Sequence, residues 1–144
     1  MRDAAHFIER FKALALRHGL SLGVMASTAP GDFALVLAAA GCMFAPDDRL
    51  AEREVNERLK VWLGGAGAML AIDHVELRRW LVDNAVLARD GYGRVYTRGT
   101  PRAEIEHAIG ALAIHDLAAL ANKARGDEAA RRQARKAQWA ESHQ

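Results

Sequence analysis

Apolar residues recur at helical spacing along most of the chain. The spacing predicts five helices, over about residues 3–18, 33–44, 51–63, 70–84 and 100–125. The second of them is apolar on every side, and a helix without a polar face belongs in the centre of a domain. The third carries Val55, Leu59 and Trp62 on one face, which we expect to be buried. We interpret residues 19–32 as irregular, with a turn at 27–31.

Capping residues indicate where these helices begin. Asp32 is expected to cap the apolar helix with its side chain. Thr100 as N-cap, with Pro101 at the first helical position, opens a single long C-terminal helix. Gly126 is expected to interrupt that helix, because glycine is a poor helix former.

Residues 86–98 have the pattern of a β-hairpin. Two short segments, 86–89 and 94–98, flank a turn at 90–93 that holds two glycines. Three helices followed by a hairpin are the order of the winged helix-turn-helix, in which the third helix and the hairpin wing face nucleic acid. The sequence therefore predicts a mainly α fold, with a winged helix-turn-helix-like core of three helices plus a hairpin and extra N- and C-terminal helices.

Composition sets the bounds of this fold. A chain of 144 residues is the size of one compact domain, which we place at 1–125 with its core at about 33–98. Residues 126–144 are predicted to form a basic helical extension or tail. The single cysteine, Cys42, excludes a disulfide scaffold and lies in an apolar run, where it is expected to be a small buried hydrophobe. A net charge of +2 is too small to indicate a nucleic-acid partner by itself.

The expected compartment is the cytoplasm. Charges recur every few residues over 1–12, where a signal peptide would need an apolar region. The longest apolar run, residues 33–45, has 13 residues, whereas a membrane-spanning helix needs about 20. We therefore expect no membrane association.

An ordered set of residues in the central segment carries a family resemblance. The set is Glu54, Val55, Asn56 and Leu59; then Asp73, Leu77, Arg78, Arg79, Leu81, Val82 and Asp83; then Leu87 and Arg89; then Gly93 and Tyr96. With this set the segment resembles the domain of unknown function 2087 family, which occurs alone and attached to bacterial transcription-regulator domains. The resemblance implies a winged-helix-like domain with a regulatory role.

The chain departs from the family pattern in three places. Ala51 stands where the family usually has a capping serine, so Asp47 or Asp48 is expected to cap the second core helix. Residues 64–68 look like an insertion before the third core helix. Trp80 occupies a position that is usually acidic or polar.

The predicted outward face of the third core helix is acidic. At 100° per residue around a helix, the residues predicted to face outward are Asp73, Glu76, Arg79, Trp80 and Asp83. The residues predicted to face inward are Val75, Leu81, Val82 and Ala85. Three acids against one base form a poor surface for reading a DNA groove. We interpret Arg78 as a structural arginine that pairs with Asp83 or Glu54.

The hairpin is the more favourable part of a DNA-binding surface. Its arginines could contact phosphates, or they could be only the solvated face of a two-stranded ribbon. The predicted DNA-binding residues are Arg79, His74, Arg89, Arg94 and Arg98. Residues 123–144 add six bases against three acids, so we expect nucleic-acid contacts from the wing and the tail together.

Trp80 and the terminal helices point to partners. Trp80 is either covered by the added terminal helices or is an exposed anchor for a partner protein. The apolar stripes of the terminal helices exceed what a minimal winged helix needs, which is typical of regulators that form homodimers.

The sequence contains no motif that indicates catalytic chemistry. Residues 64–69 lack the ending of a phosphate-binding loop, and His107 and His115 do not form a metal-ligand pattern. We expect no enzyme activity, metal or cofactor. The leading hypothesis is a DNA-binding transcriptional regulator that acts on double-stranded DNA. The alternative is a protein-interaction module on the same scaffold without DNA binding.

Overall fold

The computed structural model describes residues 3–143, so residues 1, 2 and 144 of the predicted domain and tail lie outside it. The described residues form seven helices and one two-stranded antiparallel sheet. In chain order these are α1 Ala4–Ala15, α2 Leu22–Thr28, α3 Pro30–Gly41, α4 Glu52–Leu63, α5 His74–Asp83, β1 Leu87–Arg89, β2 Tyr96–Arg98, α6 Ala103–Leu112 and α7 Leu117–Ser142.

Helix α3 is the centre of the domain, as its apolar pattern predicts. Every residue of α3 from Phe33 to Gly41 is buried. The predicted cap is wrong: α3 begins at Pro30, and its N-cap Ala29 makes no side-chain hydrogen bond. Asp32 lies inside the first turn and instead accepts two hydrogen bonds from the guanidinium of Arg10. Asp32 therefore ties α1 to α3.

The segment predicted to be irregular contains a helix. Helix α2 begins after Ser21, whose hydroxyl accepts a hydrogen bond from the Val24 amide at 3.2 Å. Leu22 and Met25 are buried, which anchors this short helix to the core. Seven residues are too few for a periodic stripe, so the hydrophobic pattern gave no signal there.

Helix α4 has the predicted bounds within one residue, and its stripe of Val55, Leu59 and Trp62 is buried. Its predicted cap is wrong. Ala51 makes no side-chain cap, and Asp48 accepts hydrogen bonds from the Ala45 amide and from an arginine of α4. Asp48 therefore stabilises the loop before α4 and does not cap the first turn of α4.

Helix α5 begins later than predicted, because Asp73 accepts a hydrogen bond from the Glu76 amide and caps the helix at that point. The residues before it form an extended connection instead. Leu20 donates to the Met69 carbonyl and accepts from the Ala71 amide, both at 2.9 Å. This pairing holds the α4–α5 connection against the chain that follows α1.

The hairpin is present where it was predicted, with Leu87 paired to Arg98 and Arg89 to Tyr96. A third extended segment joins it, since Leu50 and Tyr96 exchange two backbone hydrogen bonds of 2.9 and 2.7 Å. The segment before α4 thus lies beside β2, and β1 lies on the other side of β2. Helices α3, α4 and α5 with this sheet form a winged-helix-like core.

The predicted single C-terminal helix is two helices. Helix α6 begins at Ala103 rather than next to Thr100, and α7 begins after Asp116, which accepts from the Ala119 amide at 3.0 Å. Gly126 does not interrupt α7, which continues to Ser142. The predicted extension is therefore helical. Within residues 3–143 no helix is both long and apolar enough to cross a membrane.

Candidate nucleic-acid interface

A groove of about 280 Å³ runs between α5 and β1. Its lining combines two valines, three arginines and one aspartate: Val75, Arg78, Arg79, Val82, Asp83 and Arg89. Two of the predicted DNA-binding residues, Arg79 and Arg89, meet in this groove. A groove with more positive than negative side chains suits a phosphate backbone better than the acidic face predicted for this helix.

The rotation of α5 brings Arg79 outward. Leu77 and Leu81 are fully buried, and residues four apart lie on the same side of a helix. Arg79 follows Leu77 by two helical steps, or about 200°, so it points away from the core. Val75 is 42% exposed on the same outer side, which contradicts its predicted inward placement.

Arg89 faces the groove because side chains alternate between the two faces of a strand. Leu87, two residues earlier in β1, is buried, and side chains two residues apart lie on the same face of a strand. That face is turned toward α5, so Arg89 continues along the groove beyond the buried leucine.

Arg78 is structural, as predicted, but with different partners. It donates to the Asn56 side-chain oxygen and lies 3.5 Å from the Glu52 carboxylate, rather than beside Asp83 or Glu54. The hydroxyl of Tyr96 donates to the same Glu52 carboxylate at 3.1 Å. This network joins α4, α5 and β2, so the helix pair and the wing are held in one orientation.

The wing tip carries an exposed cation–π pair. Asp90 accepts hydrogen bonds from the Tyr92 and Arg94 amides, and these backbone bonds lower the pKa of Asp90 below its ordinary value. Gly93 closes the turn with a φ of +68°, a conformation that glycine adopts without strain. The Arg94 guanidinium lies 4.9 Å from the ring centre of Tyr92, which is 81% exposed. A cation and an aromatic ring therefore stand together at the tip.

Arg98 is not available to a phosphate. Its side chain is only 11% exposed, donates to the Phe44 carbonyl at 2.9 Å and lies 3.6 Å from the Glu106 carboxylate. It joins the loop after α3 to α6. Alternation along the hairpin does not distinguish Arg98 from Arg94, because the partners of Arg98, Phe44 and Glu106, come from other parts of the chain.

His74 and Trp80 lie away from the groove. His74 is the half-buried first residue of α5. Trp80 packs edge-on against Phe33, with ring centres 5.3 Å apart, and its indole N–H donates to Glu76 at 3.3 Å. The predicted cover by the terminal helices is wrong, because Trp80 is partly buried against Phe33 of α3. Its predicted role as an anchor for a partner protein stays a prediction.

Residues 31–98 match the model of a protein family described as "Uncharacterized protein conserved in bacteria (DUF2087)". The winged-helix-like segment resembles this family. The match begins in the first turn of α3 and ends with β2, so it contains the groove, the wing tip and the network that orients them. No curated protein and no solved structure matches the chain.

The tail helix lies outside the segment that resembles DUF2087. Helix α7 packs against α1, and Arg125 donates to the carbonyls of Ala15 and Gly65. Part of the tail's positive charge is paired within the helix, because Glu128 binds two arginines and Asp127 binds Lys123. The wing therefore packs beside α5, whereas the tail helix packs against α1.

Sequence reasoning missed Val75 and Val82 as groove residues. The signal that could have placed them was the pair Leu77 and Leu81, whose four-residue spacing identifies the buried side of α5. Among the residues from 3 to 143, no group of three or more acidic, histidine or cysteine side chains is placed to hold a metal ion.

Proposed function

We propose that this protein is a DNA-binding transcriptional regulator that holds double-stranded DNA between the outer face of α5 and the wing. The observation that carries the proposal is the meeting of Arg79 and Arg89 in one groove of a winged-helix-like core. In winged helix-turn-helix proteins these two elements face nucleic acid. Such a function would place the protein in the bacterial cytoplasm.

Three arginines are the proposed phosphate contacts. Arg79 and Arg89 line the groove, and Arg94 is exposed at the wing tip. The contacts proposed here exclude His74 and Arg98, because the first is away from the groove and the second is engaged with Phe44. Phosphate contacts position a protein on DNA without reading its sequence. The two valines of the groove offer apolar contacts to a thymine methyl group or a sugar.

Fluorescence anisotropy with a random duplex tests the proposal. Each arginine–phosphate contact contributes about −0.9 to the slope of log affinity against log salt, so three contacts predict a slope of about −3. The variant Arg79→Gln/Arg89→Gln/Arg94→Gln should flatten that slope to near zero and weaken binding at least about tenfold at low salt. Lys12→Gln, a single exchange of the same kind on α1, should keep the wild-type slope.

The proposal fails if wild type does not bind duplex DNA at low salt, or if its binding is insensitive to added salt. It also fails if the triple variant binds with the wild-type slope. Lys12 lies outside residues 31–98 and its variant removes one charge instead of three, so a loss in Lys12→Gln about one third as large as that of the triple variant would show that binding follows overall charge rather than this groove.

A protein-interaction module is the second candidate. Val75 and Val82 in the open groove are the observation that favours it, because apolar residues among arginines suit an amphipathic acidic helix. A pull-down with wild type and Val82→Glu would distinguish the two functions. Loss of a protein partner in the variant, with no DNA binding by wild type, would support the module.

We propose that the protein forms a homodimer through its terminal helices. Trp139 of α7 is 64% exposed, and α7 is exposed throughout residues 129–142. An exposed tryptophan on a projecting helix is typical of an interface. Light scattering should give twice the chain mass of 15.7 kDa for wild type and a lower value for Trp139→Ala. A mass of one chain for wild type would contradict the dimer.

A further inference from the structure

The outer side of α5 presents a continuous stripe of side chains that line the groove. Its members are Val75, Arg79, Val82 and Asp83, and their spacing places all four on one side of the helix. At about 1.5 Å per residue the stripe is about 12 Å long, which is the length of about three to four base pairs. A stripe of this length can contact bases in a DNA groove as well as the DNA backbone.

Asp83 is the negatively charged member of this stripe. It is the last residue of α5, its side chain is exposed, and it lines the groove between α5 and β1. Within residues 3–143 its carboxylate makes no hydrogen bond and no ion pair, whereas Arg78, its predicted partner, is bound to Asn56 and Glu52. An aspartate that only neutralised the groove would pair with one of the arginines there. The Asp83 carboxylate is instead free to accept a hydrogen bond from a bound molecule.

A free carboxylate restricts which base DNA can present to it. The carboxylate repels phosphates, and in the major groove the only hydrogen-bond donors on the bases are the exocyclic amines of cytosine and adenine. The adenine amine lies beside the N7 acceptor of the same base, which repels a carboxylate. Cytosine presents its N4 amine with no acceptor on its own edge. A carboxylate on the outer side of a helix in the major groove therefore favours cytosine.

We propose that α5 lies in the major groove and that Asp83 sets a sequence preference by accepting a hydrogen bond from the N4 amine of a cytosine. The inference rests on the proposed DNA binding and adds a base contact to the phosphate contacts of the arginines. It also gives a role to the acidic residue in a groove that otherwise carries positive charge.

Selection of duplexes from a random pool, followed by fluorescence anisotropy with the selected duplex, tests the proposal. Wild type should enrich a cytosine at one position, and exchange of that cytosine for thymine should weaken binding at least about fivefold. Thymine presents the O4 acceptor where cytosine presents the N4 donor. N4-Methylcytosine at the same position should also weaken binding, because the methyl group replaces the amine hydrogen that faces the groove.

Three variants of α5 separate the base contact from the effect of charge. Asp83→Ala removes the acceptor and should bind the cytosine and thymine duplexes within about twofold of each other. Asp83→Asn should transfer the preference to adenine, because an asparagine amide donates to N7 and accepts from the N6 amine. Glu76→Ala is the matched control, since Glu76 is an exposed carboxylate of α5 that does not line the groove. It removes the same charge and should keep the preference for cytosine.

Failure of this inference differs from failure of the proposed function. Wild type that binds no duplex overturns DNA binding and the cytosine contact with it. Wild type that binds duplexes with a salt slope of about −3 but prefers cytosine by less than about twofold leaves DNA binding intact and overturns the role of Asp83. An unchanged preference in Asp83→Ala, or an equal loss of preference in Glu76→Ala, overturns that role as well.

Discussion

Arg125 is predicted to be the main polar attachment of α7 to the rest of the domain. Its Nε donates to the Ala15 carbonyl at 2.9 Å, and its Nη1 donates to the Gly65 carbonyl at 2.8 Å. A third contact, to the Ala66 carbonyl, is longer at 3.5 Å. One side chain thus joins the end of α1, the turn after α4 and α7. Burial lowers the pKa of this guanidinium, because removal from water disfavours its charged form.

The substitution Arg125→Met removes these hydrogen bonds and retains most of the aliphatic stem. A hydrogen bond from a charged group contributes about 1.5–3 kcal/mol, and the partial burial of an uncompensated charge offsets some of that. Two bonds of normal length therefore predict a loss of about 2–3 kcal/mol. In a domain of this size that loss lowers Tm by roughly 6–12 °C.

Urea unfolding followed by circular dichroism measures the effect. The midpoint should fall by about 1–1.5 M with an unchanged m-value. Arg132→Met is the control, because Arg132 is exposed and lies beyond the docked part of α7, and its effect should stay within about 0.5 kcal/mol. Arg125→Lys should recover less than half of the loss, because an ammonium group cannot reproduce the fork of the guanidinium. A loss below about 0.5 kcal/mol in Arg125→Met would refute the reasoning.

Two further substitutions test contacts in the core and near it. Gly67→Ala should lower the free energy of unfolding by about 1–3 kcal/mol, because the new methyl group would lie 2.1 Å from the Trp62 ring. At Gly110 an added methyl group meets no atom within 4 Å, so Gly110→Ala should leave the free energy of unfolding unchanged or raise it by up to about 1 kcal/mol. Equal effects of the two in thermal unfolding would contradict the crowding at Trp62. Asp32→Asn should cost about 0.5–1 kcal/mol at pH 6, because hydrogen bonds from Arg10 hold the pKa of Asp32 below its ordinary value in the folded protein. That contribution is present above the ordinary pKa and is lost as the pH falls through the lowered one. The difference between variant and wild type in urea unfolding should therefore shrink steadily as the pH falls below about 4, and a difference that does not change with pH would rule out this ion pair as its source.

Local sequence patterns were sufficient to predict α3, α4 and the hairpin. The continuous apolar run of α3 predicted a buried central helix, because no side of it could face water. The stripe of α4 and the glycine-bearing turn between β1 and β2 are also properties of a few consecutive residues. These are the elements whose structure depends on the spacing within one segment.

Tertiary packing decided the candidate interface. The predicted rotation of α5 placed Val75 inward, whereas in the folded domain the burial of Leu77 and Leu81 leaves Val75 and Arg79 together on the outer side. Arg98 and Arg94 are alike as residues of a charged ribbon, yet Arg98 is held by the Phe44 carbonyl and the Glu106 carboxylate, whereas Arg94 stays at the surface beside Tyr92.

The sequence by itself therefore determined the helical state of α3 and α4, the extended state of the hairpin and the burial of α3 and of the α4 stripe, because these properties follow from neighbours along the chain. The tertiary structure decided which charged side chains are free for a partner. Burial of an arginine depends on what packs over it and on the carbonyls and carboxylates within its reach, and those groups come from distant parts of the chain.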